Sequence, residues 1–182
     1  PMEPTGGNPA ALVAALRDGT FPRRSWDHRA HLVACWSIHR EHHGPDPLTG
    51  PLAEPFADPG GDPSAGPLAE VVDVVRVLIS AYNLRTAPAG SPAGCHETVT
   101  RYFVEAVGRV GAHSIDEVVD HPWCHVDAPA RHWSRGLLWS DAARSRWVDP
   151  DLAPLPWVGG VDDHLSGPVA EPRAQPPDPI HR

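Results

Sequence analysis

The sequence predicts an all-α protein: a single compact domain of five or six short helices, with long Pro/Gly-rich loops and an irregular C-terminal strap. Three observations carry this expectation. Apolar residues recur three and four positions apart in successive windows, the period of a helix with one buried face. The alternating pattern of half-buried strands is almost absent. Residues that cap helices, Asn8, Ser25, Ser114 and Ser140, stand just ahead of helical windows.

The first helix is expected after Asn8-Pro9, an N-cap followed by a proline in the first turn, and it ends near Gly19. Ser25 caps a second helix over about 26–43, with Asp27 in its first turn and Gly44-Pro45 as its stop. On it, His28, Leu32, Cys35 and His39 form one row, and His31, Cys35, Ile38 and His42 the next. His39, His42 and His43 fall in the polar run His-Arg-Glu-His-His and are expected to be solvated. Residues 44–66, mostly Pro, Gly, Asp, Ala and Leu without a period, read as a long insert, either a mobile flap or a passive connection. A third helix over 67–84 carries the stripe Val71, Val75, Leu78 and Tyr82. A second Pro/Gly-rich loop then delivers the chain to a fourth helix from His96 to about Val110, its stripe formed by Val99, Phe103, Ala106, Val107 and Val110. Ser114, with Asp116 and Glu117 behind it, caps a fifth helix ending at His121-Pro122. Ser140 caps a short helix toward Trp147, and residues 150–156 read as a strap. The domain is expected to span 1–158, followed by a proline-rich tail over 159–182 that is flexible or surface-bound.

Composition narrows the function classes. A chain of 182 residues suffices for one core. A net charge of -8, with acidic residues spread along the chain, argues against a nucleic-acid surface. No apolar stretch is long enough to span a bilayer and no basic-then-apolar leader heads the sequence, so the expectation is a cytoplasmic protein without membrane insertion. Cys35, Cys95 and Cys124 are three in number and lack CxxC spacing, which speaks against a disulfide framework or a zinc knuckle.

The chemistry concentrates in two short stretches. Trp26-Asp27-His28-Arg29-Ala30-His31-Leu32 places two histidines three residues apart, the spacing that lets two imidazoles on a helix converge. Gly94-Cys95-His96-Glu97-Thr98 places a third histidine on the apolar stripe of the fourth helix, beside a carboxylate. These positions nominate His28, His31 and His96 as ligands of one transition metal ion, with Cu, Fe, Zn and Ni not distinguished. Glu97 is assigned as general base or orienting carboxylate rather than a ligand, because adjacent helical residues point about a hundred degrees apart. HETVT lacks the second histidine of HExxH, so peptidase chemistry has no motif. Tyr82, Asn83, Trp133 and Arg135 are candidate walls of a substrate pocket, and His125 and His132 candidate additional groups. The plainer reading of each histidine is a packed side chain with one hydrogen-bond partner. Thr98 and Thr100 read as partners of local carbonyls.

The order Trp-x-His-x-x-His-Leu, Tyr-Asn, Gly-x-His-Glu-Thr-x-Thr, and Ser-Arg-x-Leu-x-x-Ser-x-x-Ala-Arg-x-x-Trp-x-x-Pro-Asp-Leu-x-Pro-Leu-Pro spans about Trp26 to Pro156. It resembles a widespread group of small bacterial proteins of undetermined activity. In that group a tyrosine commonly precedes His-Glu, where this chain has Cys95, and another precedes Ser-Arg, where this chain has Trp133. The resemblance implies that His28, His31, His96 and Glu97 belong to one site. The functional expectation is a metal-dependent enzyme acting on a small molecule, in an oxidative or lyase-type step of specialised metabolism. Its alternatives are a metal-free acid-base enzyme using Glu97 and a histidine, and a small-ligand or metal binding module without turnover.

Overall fold

The computed structural model describes residues 8–44, 67–88 and 94–158. The insert after Gly44, part of the loop ahead of His96 and the 159–182 tail lie outside the described residues. Seven α-helices follow one another: α1 (Pro9–Asp18), α2 (His28–His43), α3 (Pro67–Thr86), α4 (Glu97–Val110), α5 (Ile115–Asp120), α6 (Arg135–Leu138) and α7 (Asp141–Ser145). Three single 3-10 turns, Arg23–Ser25, Pro122–Cys124 and Ala128–Arg131, punctuate them. No strand occurs among the described residues, so the class is all-α, as the periodicity predicts.

The caps explain where the helices start. Asn8 accepts from the Ala10 N–H and Gly19 closes α1 in the left-handed region at φ 73°. Ser114 accepts from the Glu117 N–H while the Glu117 carboxylate takes the His113 N–H, a reciprocal cap for α5. Two starts differ from expectation. Residues 23–25 form a 3-10 turn, and Asp27 caps α2 by accepting from the Ala30 N–H at 2.9 Å, so α2 begins at His28 rather than Trp26. At the other site stretch, His96 is itself the cap of α4 and Glu97 the first helical residue. A capping side chain consumes an acceptor at the helix end, and a ring nitrogen serves here in place of a hydroxyl or carboxylate. The helix beyond those expected, α6, is a single turn capped by Ser134, too short to leave a period in the sequence.

Helix α2 is the hub, packing against α1, α3, α4 and α5. It buries Leu32, Val33, Ala34, Cys35 and Ile38, which lie on more than one of its faces and so require neighbours on several sides. The α3 stripe Val71, Val75, Leu78 and Tyr82 is buried as its spacing requires, and the Tyr82 hydroxyl donates to the Phe21 carbonyl at 2.9 Å. Across from it, α4 contributes Phe103, Ala106 and Val107 together with Tyr102 and Val104. The C-terminal segment is fastened to α4 by Thr98, whose hydroxyl donates to the Arg146 carbonyl at 2.9 Å and accepts from the Val148 N–H at 3.3 Å. Over 151–156 only Leu155 is buried, consistent with a strap laid on the surface. No helix among the described residues is long and apolar enough to cross a membrane.

Candidate functional site

Each of the three nominated histidines gives one ring proton to a backbone carbonyl. His28 Nε2–H donates to the Cys124 carbonyl at 2.7 Å, His31 Nδ1–H to the Asp27 carbonyl at 2.6 Å, and His96 Nε2–H to the Leu138 carbonyl at 2.7 Å. A carbonyl can only accept, so these bonds fix the position of the proton. In the neutral ring the remaining nitrogen, His28 Nδ1, His31 Nε2 or His96 Nδ1, carries the lone pair. The His96 lone pair is engaged weakly, by the Val99 N–H at 3.4 Å.

The rings sit among aromatic neighbours. His31 lies against Trp26, ring centroids 3.8 Å apart, and His28 meets the edge of Phe103 at 4.9 Å. His96 meets Trp139 edge-on at 5.4 Å. Burial holds the His31 pKa below its usual value, the Asp27 carbonyl opposes this, and the nearby His28 and Arg23 lower it further. His96 is lowered too, by burial first and also by Arg144, against the pull of its Leu138 bond. Both rings are therefore held toward the neutral state that a ligand or a base requires.

His28 and His31 share one neighbourhood, one turn apart at the start of α2. His96 stands in another, beside Leu138, Trp139 and Arg144. Among the described residues no three His, Cys, Asp or Glu side chains gather as a metal-holding group. Glu97, largely buried at the first position of α4, places Oε2 3.9 Å from Arg76 Nη1 of α3. There its charge also meets the positive end of the helix dipole.

Of the candidate pocket residues, Tyr82 is fully buried, and Asn83 bridges two segments. Its amide donates to the Gly94 carbonyl at 2.7 Å and its Oδ1 accepts from Arg23 Nη1 at 2.5 Å. The Arg23 guanidinium also lies 5.9 Å from the centre of the Tyr82 ring. Trp133 is buried in the core, its indole N–H donating to the Val148 carbonyl at 3.0 Å, whereas Arg135 is exposed at the start of α6. His125 is exposed, and His132 Nδ1–H donates to the Ala153 carbonyl at 3.3 Å. A groove of about 350 Å³ between the start of α1 and α2, lined by Asn8, Trp36, Arg40 and Glu41 among others, touches none of these residues.

The residues that sequence reasoning missed are Arg23 and Trp26, which pack around His31, Tyr82 and Asn83. Their signal was position: both stand in the short stretch ahead of α2, Arg23 in the 3-10 turn and Trp26 at its C-terminal end. Thr98 bonds a distant carbonyl, not the local one expected of it. Burial pushes the Cys35 and Cys124 thiols up to about 12, which keeps both protonated and unfit as nucleophiles near neutral pH. The chain matches no known family profile, no curated protein and no solved structure.

Proposed function

We propose that the protein is a metal-dependent enzyme acting on a small molecule, with His28, His31 and His96 as ligands of one transition metal ion and Glu97 as base. The observation that supports this most is the shared hydrogen-bond pattern of the three rings, each with one N–H tied to a backbone carbonyl. That bond orients a ligating histidine and sets the tautomer that leaves its other nitrogen for metal. His28 and His31 supply the helical pair, and His96 joins by releasing the long 3.4 Å contact of its Nδ1 with Val99. A transition metal held by three imidazoles offers open positions for water, oxygen or substrate, which suits an oxidative or lyase-type step. Glu97, with Oε2 3.9 Å from Arg76 Nη1, is the base assigned to take a proton from a bound molecule, while Trp26 packs on the His31 ring and Arg23 bonds Asn83.

The same Glu97–Arg76 pairing supports a second reading, a metal-free acid-base enzyme in which Glu97 and His96 move the proton. Metal content separates the two. Under the first reading His28→Ala, His31→Ala and His96→Ala each lose bound metal while their circular dichroism stays helical, and Glu97→Gln retains it. Full metal retention in all three alanine variants rules the trio out.

A further inference from the structure

The run His39-Arg40-Glu41-His42-His43 reads as solvated from sequence, yet His39 is only 5% exposed. Its Nε2–H donates to the Val104 carbonyl of α4 at 2.8 Å, which leaves Nδ1 as the lone-pair nitrogen. That nitrogen is buried and has no hydrogen-bond partner among the described residues, and neither has His43 Nε2. Two buried ring nitrogens without partners, on side chains four residues apart, are unusual in one helix turn. The two rings are 6.1 Å apart between centroids and inclined by 30°. With metal–nitrogen bonds of about 2.0–2.1 Å, two ligating imidazoles have centroids no more than roughly 6.5 Å apart. The observed spacing lies within that reach.

The facing helix keeps room for the His39 ring. A Cβ at Gly108 of α4 would stand 2.5 Å from His39 Cε1 and 2.9 Å from Leu68 Cδ2, so the ring occupies space that another residue would fill. His42, the third histidine of the run, is exposed, its ring 6.4 Å from that of His43. It marks the solvent side of the pair.

We infer that His39 and His43 form a second metal-binding pair, distinct from the His28–His31 neighbourhood, which takes a borderline transition-metal dication such as Zn2+ through His39 Nδ1 and His43 Nε2. Water completes the coordination shell. Imidazole nitrogen is the ligand type that Zn2+, Cu2+ and Ni2+ prefer over Mg2+ or Ca2+, and the Val104 bond leaves the His39 lone pair on Nδ1.

The test is residue-resolved. Full-length protein is stripped with a chelator, Zn2+ is titrated in, and the histidine ring nitrogens are followed by long-range proton–nitrogen correlation spectra. The expected result is a joint displacement of His39 Nδ1 and His43 Nε2, whether or not His28, His31 and His96 respond. Unchanged His39 and His43 signals beside a shifting His42 signal would mean an adventitious surface ion only, and would overturn the pair. His43→Gln, at a half-buried position, provides the control. It is expected to keep helical circular dichroism and to abolish the zinc response of His39, and a His39 response that survives it also refutes the assignment.

Discussion

At the scale of single residues, His39 shows how burial sets a proton affinity. Burial holds its pKa down to about 4, with His43 and His42 adding to the effect and the Val104 hydrogen bond opposing it. In the unfolded chain the same ring takes its proton near the ordinary value of 6.5. The stability contributed by the neutral ring is therefore complete above pH 6.5 and is lost as pH falls through about 4, because the unfolded state binds the proton first. The loss is on the order of 3 kcal/mol. Urea unfolding of chelator-treated protein between these limits is expected to show stability falling with pH, and His39→Leu to flatten part of that slope. An unaltered slope in the variant would place the titration elsewhere, among His31, His96 and His121, which burial also lowers. The burial of His39 was only half legible. Its row with Leu32 and Cys35 pointed inward, but the polar run around it pointed outward, and only the packing of α4 at Gly108 decides between them.

At the scale of elements, the caps decide the geometry of the site. Asp27 starts α2 so that its carbonyl receives the His31 proton, and His96 starts α4 so that its ring sits between Val99 and Leu138. Both residues were singled out from the sequence, but as members of their helices rather than as the caps. Aspartate fits either role, and histidine is an uncommon cap, so local pattern favours the interior position. The apolar stripes of α3 and α4 were readable because core burial enforces a 3.6-residue period. Thr98 was not, since a hydroxyl near a helix start usually bonds locally. Its bonds to Arg146 and Val148 join α4 to the segment that follows α7. Thr98→Val preserves shape while leaving a carbonyl and an N–H without their partner, and is expected to cost about 1–3 kcal/mol in chemical denaturation. A loss of only about a few tenths of a kcal/mol would mean that the fastening contributes little.

At the scale of the molecule, α2 lies among α1, α3, α4 and α5 and carries the pairs His28–His31 and His39–His43, one at each end. The helical class was legible because nearly every element announces itself by period, cap or stop within its own residues. Neighbours one turn apart, such as His28 and His31, were legible for the same reason. The relation of His96 to that pair was not, because it depends on how α4 packs, and in this structure the ring faces Leu138 and Trp139. Trp133 likewise proved to be core, a large indole with its N–H satisfied by Val148, where only its neighbourhood of motifs had suggested a pocket wall. The account rests on His28, His31 and His96 holding a metal in spite of that separation. Elemental analysis of the His43→Gln variant, untagged and purified without chelator or a nickel column, tests it with the second pair removed. The account predicts near one equivalent of a single transition metal. Protein that contains none, and takes up none when reconstituted with Fe, Cu, Ni or Zn, would contradict it.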